Sequence, residues 1–182
     1  MTLKSILFPV ISFGATMIPV SSFATPQVTF QGEVTTQTCQ ASINGESNGT
    51  VLLPTVSADQ LATAGATTGL TPFTISVSGC TANPTDDLKI STKFLGHNTT
   101  QSGNLGNLAA NDIAAKNVSI QLTTDSSGSV PVQLNGVTSV EGLVLNKGET
   151  TASHQFAARY FAEDAVTAGA VTAVAEYTLS YQ

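Results

Sequence analysis

Cys39 and Cys80 are the residues of this sequence with the clearest covalent chemistry open to them. Thiols oxidise outside the reducing cytosol, and an even cysteine count in an exported chain argues for a disulfide. Such a bond would close a long loop and remove about 4 kcal/mol of chain entropy from the unfolded state. Zinc is the rival partner for thiolates, but His97 and His154 have no ligand-like spacing to either cysteine or to each other. Hydrolytic chemistry has no better footing. Serine, histidine and aspartate are present, yet no Gly-x-Ser-x-Gly elbow frames a nucleophile. Glu163 and Asp164 could be an acid–base pair, but adjacent residues of a strand or turn diverge, so both are expected in solvent. There is no phosphate-binding glycine loop with a lysine and no His-x-x-x-His pair. Asn48-Gly49-Thr50, Asn98-Thr99-Thr100 and Asn117-Val118-Ser119 match the N-glycosylation pattern, a coincidence in a Thr-rich chain. The inventory points to no catalytic residue, no metal ligand set and no cofactor, and so away from an enzyme.

The elements that must position the cysteines begin with an export segment. Lys4 precedes Ile6-Leu7-Phe8, an apolar run continues to Val20, and Ser22-Phe23-Ala24 closes it. A positive charge, an apolar stretch and small residues before the cut describe a signal peptide over residues 1–24, with Thr25 as the mature terminus. An earlier cut after Ala15 would place Phe13 unfavourably. Pro9 and Pro19 spoil the stretch as a membrane-spanning helix, and an uncleaved anchor is the rival reading. No second apolar run is long enough to span a bilayer, so the mature chain is expected to have no membrane insertion. The 182 residues suit one domain, and charged residues make up only 10% of them at a net charge of −6. Six lysines and arginines are spread along the chain without forming a basic patch, which argues against nucleic acid as a partner.

Beyond the export segment, no long stretch keeps a helical period. Ser57 to Ala64 is the one candidate for a short turn, with Ser57 as its cap. Period-two alternation recurs instead at Phe73-Ile75-Val77, Leu88-Ile90-Phe94, Val118-Ile120-Leu122 and Val130-Val132-Leu134. Turn clusters separate these runs: Asn83-Pro84-Thr85-Asp86, Asp125-Ser126-Ser127-Gly128, Asn135-Gly136 and Asn146-Lys147-Gly148. The pattern predicts an all-β sandwich. The segment from Gly96 to Ala115 is rich in Asn, Gly and Ala and reads as an exposed connection. Arg159 is expected to pair with an acidic neighbour or stay solvated.

The two ends of the mature chain carry the most information. Val28, Phe30, Gly32 and Val34 share one face of an extended strand, with Thr29, Gln31 and Glu33 on the other. The glycine costs stability in an ordinary strand and suits a close backbone approach. At the other end, the odd positions from Ala173 to Tyr181 form an apolar face, and the even positions of His154 to Ala162 turn inward.

Several stretches lie in order: Phe30-Gln31-Gly32-Glu33-Val34 before Cys39, Val51-Leu52-Leu53-Pro54 after it, and Phe73 to Val77 leading into Ser78-Gly79-Cys80. The run Gln155 to Ala162 and the penultimate Tyr181 follow. On these residues the chain resembles the type 1 pilin family of chaperone–usher fimbrial subunits over essentially its whole mature length. The resemblance implies an incomplete immunoglobulin-like β-sandwich that lacks its final strand and is completed by donor-strand exchange. It implies a donor-strand extension over residues 25–38, with Val28, Phe30, Gly32 and Val34 as the docking face, and a pilin domain over residues 39–182. Tyr177, Leu179 and Tyr181 would lie on the strand that borders the groove and engages the chaperone. The implied partners are a periplasmic chaperone, an outer-membrane usher and other fimbrial subunits in a homopolymer at the cell surface. Only three residues precede Val28 after a cut at Ala24, which leaves the first docking residue open. A minor or adaptor subunit is the alternative. A glycan-binding adhesin usually needs a further domain ahead of the pilin domain.

Overall fold

The computed structural model describes residues 34, 36–37, 39–136 and 138–182. Eight strands follow in chain order: β1 (Gln40–Ile43), β2 (Thr67–Ser78), β3 (Leu88–Gly96), β4 (Leu105–Gly106), β5 (Val118–Thr123), β6 (Thr138–Leu145), β7 (Ala152–Ala162) and β8 (Ala175–Tyr181). They form a five-stranded sheet in the order β1-β2-β7-β5-β4 and a three-stranded sheet in the order β6-β3-β8. All the strand pairings are antiparallel. A single turn of 3-10 helix, Ala58–Leu61, interrupts the strands, and Ser57 caps it by accepting the Asp59 N–H at 3.4 Å.

The alternating runs read from the sequence become the facing layers of the sandwich. Phe73, Ile75 and Val77 of β2, Ile90 and Phe94 of β3, and Ile120 and Leu122 of β5 are buried together. Phe156 of β7 is the hub. Its ring stacks on Phe73 at 5.7 Å and meets the edges of Phe94 at 5.3 Å and His154 at 4.7 Å. On the flank where β6 faces β7, Gly142 adopts φ +136°, and a Cβ there would lie 2.4 Å from the His154 ring. Glycine is what lets the imidazole lie flat against β6. Cys39 and Cys80 form a disulfide that ties the approach to β1 to the end of β2.

Three expectations from the sequence need correction. Val130 to Leu134 is not a strand: among the described residues it makes an isolated antiparallel bridge to β5, with Pro131 opposite Thr123. Val132 and Leu134 are nevertheless buried through single bonds to Leu122 and Gly103, while Val130 is exposed. The connection from Gly96 to Ala115 is not exposed throughout. Asn104 and Leu105 are buried, and Leu105–Gly106 adds β4 to the edge of the larger sheet. Nor is Glu163 free in solvent, since its carboxylate accepts bonds from Ser102, Ser119 and Asn104 among others. Two asparagines of the glycosylation-like triplets have a structural role, because Asn98 (φ +54°) and Asn117 (φ +58°) occupy left-handed turn positions that asparagine tolerates.

Phe156→Ala should lower stability by about 3–5 kcal/mol, read as a lower urea midpoint with little change in slope. Leu95→Ala, at an exposed position of β3, should stay within about 0.5 kcal/mol of the parent.

Candidate functional site

Among the described residues the two sheets are not closed on the flank where β1 edges one sheet and β8 edges the other. Among the described residues β1 pairs only with β2, and β8 pairs only with β3, in the register Ile90↔Tyr181 to Gly96↔Ala175. Between these edges runs a furrow. Its deeper part, about 560 Å³, has Phe73, Phe94, Leu105, Ile120, Leu122 and Ala158 as its floor. Val51 and Leu53 form one wall, and Val171, Ala173, Ala175 and Tyr177 form the other. It continues into a second space of about 780 Å³, flanked by Cys39, Ala41 and Ile43 against Tyr177, Leu179 and Tyr181. Ile43, Gly49, Ala175 and Tyr177 line both parts.

The walls alternate as strands do. From Val171 to Leu179 every odd residue is half-buried and every even residue is exposed. The odd apolar side chains pack on the core with one flank open to the furrow. The Leu108 N–H donates to Thr172 O at 2.7 Å, and the His97 N–H donates to Val174 O at 3.1 Å. Successive backbone groups of an extended chain point in opposite directions, so those of Val171 and Ala173 are aimed at the furrow. Burial against this wall pushes the Tyr177 phenol above its ordinary value. An extended segment could therefore find both apolar seats and backbone partners here.

A polar network holds part of the floor in place from behind. Ser102 and Ser119 each donate a hydroxyl to Glu163 at 2.6 Å, and the Asn104 amide donates to it at 3.4 Å. The Gln121 amide donates to Asn104 Oδ1 at 3.2 Å, and Arg159 donates twice to Gln121 Oε1 at 2.9 and 2.6 Å. This chain pins residues 102–106 against β5, with Leu105 opposite Ile120. Burial by itself would raise the Glu163 carboxyl, but the donors Ser102, Ser119, Thr100 and Asn104 outweigh it and hold the group below the usual range.

The structure brings Tyr177, Leu179 and Tyr181 together on the odd face of β8, along one wall. Val34 is fully exposed and belongs to no strand. Val28, Phe30 and Gly32 lie outside the described residues. The opposite wall and Leu105 had no site role in the sequence reading. Val51 and Leu53, half-buried around the exposed Leu52, carried the period-two signal that could have marked that wall. Among the described residues no cluster of histidine, cysteine and carboxylate is arranged to hold a metal ion, and no helix is long and apolar enough to cross a membrane.

The fimbrial protein family matches residues 28–182. The chain belongs to that family. It is 38% identical over 162 residues to the F17 fimbrial protein of Escherichia coli, covering 86% of this chain and 87% of the relative. To the major fimbrial subunit SMF-1 of Stenotrophomonas maltophilia it is 35% identical over 160 residues, 85% of this chain and 90% of the relative. The P pilus rod subunit PapA shares the fold at TM-score 0.56 and 20% identity, over 79% of this chain and 99% of that one. A chain from a chaperone–usher pilus structure does so at TM-score 0.54 and 21% identity, over 92% and 100%. The sandwich is the incomplete immunoglobulin-like fold of pilus subunits. This fimbrial protein is accordingly a structural subunit, a component of a surface fibre.

A carboxyl held low in the folded state adds stability that is present above its unfolded value and is lost as pH falls through the folded one. The parent should therefore lose stability more steeply than Glu163→Gln below about pH 4, read as urea midpoints at neutral and acid pH. Equal acid losses would show that the network adds nothing specific to the ionised state.

Proposed function

We propose that this chain is the repeating subunit of a chaperone–usher fimbria and that neighbouring copies are joined by strand donation into the furrow. Residues 1–24 direct export, residues 25–38 form the donor extension, and residues 39–182 form the receiving domain. The observation that carries this reading is the half-covered apolar row along β8, facing Val51 and Leu53 across a floor of core side chains. Six residue steps separate Val28 from Val34, and six separate Ala175 from Tyr181, so donor face and border strand each span about 20 Å when extended. Added as a strand, the extension would seat Val28, Phe30 and Val34, with about 1.5–3 kcal/mol from each side chain before backbone bonds. Ordering the extension subtracts from that sum.

Before assembly, the open furrow is an aggregation hazard, since half-buried apolar walls and a strand edge are accessible together. A periplasmic chaperone lending a strand of its own answers that hazard, with Tyr177, Leu179 and Tyr181 along the contact. An outer-membrane usher is where the lent strand would give way to the next subunit's extension. Copies of the chain would then form the shaft at the cell surface.

Phe30→Asp should permit export and chaperone binding but stop polymer growth. The loss of a buried ring and the addition of a charge weaken capture by at least about a hundredfold. Surface extracts kept below boiling should give a ladder of heat-labile multimers for the parent and none for this variant. Normal fibres from Phe30→Asp would refute the donor assignment. Deleting Tyr181 and Gln182 should lower the amount of subunit recovered from the periplasm with the chaperone, and unchanged recovery would remove those residues from the contact.

A further inference from the structure

Asparagine followed by glycine can cyclise spontaneously, because glycine leaves its amide nitrogen sterically open to the preceding side chain. The sequence has three such pairs, Asn44-Gly45, Asn48-Gly49 and Asn135-Gly136. All three asparagines are exposed, so exposure does not rank them. Their surroundings do.

Asn44 and Gly45 are the two central residues of a tight hairpin, both at positive φ, closed by bonds of 2.8 and 3.0 Å between Ile43 and Glu46. The Asn44 Oδ1 accepts the Thr74 N–H at 2.9 Å, and the Asn44 N–H donates to Thr74 O at 2.9 Å. Neither the side chain nor the backbone there can rotate into the attacking geometry. Asn135 donates its amide to Gln101 O at 3.2 Å, and its Oδ1 is packed against Gly103, where a Cβ would meet it at 2.8 Å. Asn48 differs. Among the described residues its side chain makes no hydrogen bond, and the Gly49 N–H donates to no backbone carbonyl.

We infer that Asn48 is a site of spontaneous deamidation on the rim of the furrow, and that its conversion ages the subunit out of assembly. The Gly49 nitrogen, losing its proton, attacks Asn48 Cγ. The new C–N bond forms as Nδ2 leaves with that proton as ammonia, giving a succinimide. Water then opens the ring at either carbonyl, to aspartate or to isoaspartate, with no redox partner required.

The consequence rests on the strand-donation reading above. Asn48 and Glu176 line the same part of the furrow from opposite walls, so conversion adds a second carboxylate there. The isoaspartate product also inserts a methylene into the main chain beside Gly49. That residue lies so close to Ile43 that a Cβ on it would sit 2.5 Å from the Ile43 carbonyl oxygen. The inserted atom displaces the wall from Ile43. A strand seated in the furrow would cover this wall and restrain the Asn48 backbone, so captured subunits should convert more slowly than open ones.

The test incubates the full mature subunit at mildly alkaline pH, separates monomer from polymer, and maps isoaspartate by peptide mass spectrometry and methyltransferase labelling. The expected result is conversion at Asn48 ahead of Asn44 and Asn135, several-fold slower in polymer than in monomer. Conversion first at Asn44 or Asn135, or an intact Asn48 when a peptide of residues 43–53 has converted, overturns the site assignment. In a second arm, aged monomer is supplied to fresh subunit. Depletion of the converted form from new polymer by several-fold, with no loss for Asn48→Gln aged in parallel, supports the consequence, and equal incorporation overturns it. If fresh, unconverted subunit forms no polymer at all, strand donation is what fails, while the peptide map still decides the modification.

Discussion

The two sheets meet along one flank and part along the other, and the structure depends on that asymmetry. Where β6 faces β7, the His154 ring lies over Gly142 and the layers are in contact. Where β1 and β8 form the edges, Phe73, Phe94, Ile120 and Leu122 reach the floor of an open furrow. The half-buried apolar side chains of its walls, Val51, Leu53, Tyr177 and Leu179 among them, gain only part of the free energy that full burial would supply. On the strand-donation proposal, such an interior is what drives a lone subunit to take up an extended segment.

Keeping such a furrow open requires walls that do not collapse inward. The disulfide ties the approach to β1 to β2, so the wall that carries Ala41 and Ile43 is anchored at its root. The opposite wall is held from outside by the bonds of Thr172 and Val174 to the 97–108 connection. That connection is itself fastened by Glu163 through Ser102 and Asn104. A charged, multiply bonded carboxylate costs less here than in a dry core, because it lies at the outer margin of the sheet. The polar network and the apolar floor are thus two sides of one support, with Leu105 between them.

Much of this was legible in the residues. Period-two alternation at Phe73-Ile75-Val77 and at the odd positions up to Tyr181 translated directly into facing layers and into a wall, because strand side chains alternate whatever their tertiary setting. The segment from Val130 to Leu134 shows where that signal misleads. Burial alternates at Val132 and Leu134, but the segment meets β5 in an isolated bridge at Pro131 and does not extend into a ladder, so pattern and pairing come apart. The 96–115 connection misled in the opposite direction. Its Asn and Gly content looked like solvent, yet Asn104 is buried because its amide is matched by Gln121 of β5 and by Glu163 just past the end of β7. Partners so far apart in sequence leave no local trace. The furrow's second wall at Val51 and Leu53 entered the sequence reading as a stretch that carries the family resemblance, with no place along the groove assigned to it.

The most direct measurement is the stability of residues 39–182, exported by themselves, with and without a synthetic peptide of residues 25–38. An interior that needs a borrowed strand predicts a low-melting, aggregating protein that becomes a stable monomer with a much higher melting temperature when the peptide is bound. A durable monomer whose melting temperature does not respond to the peptide would contradict the account.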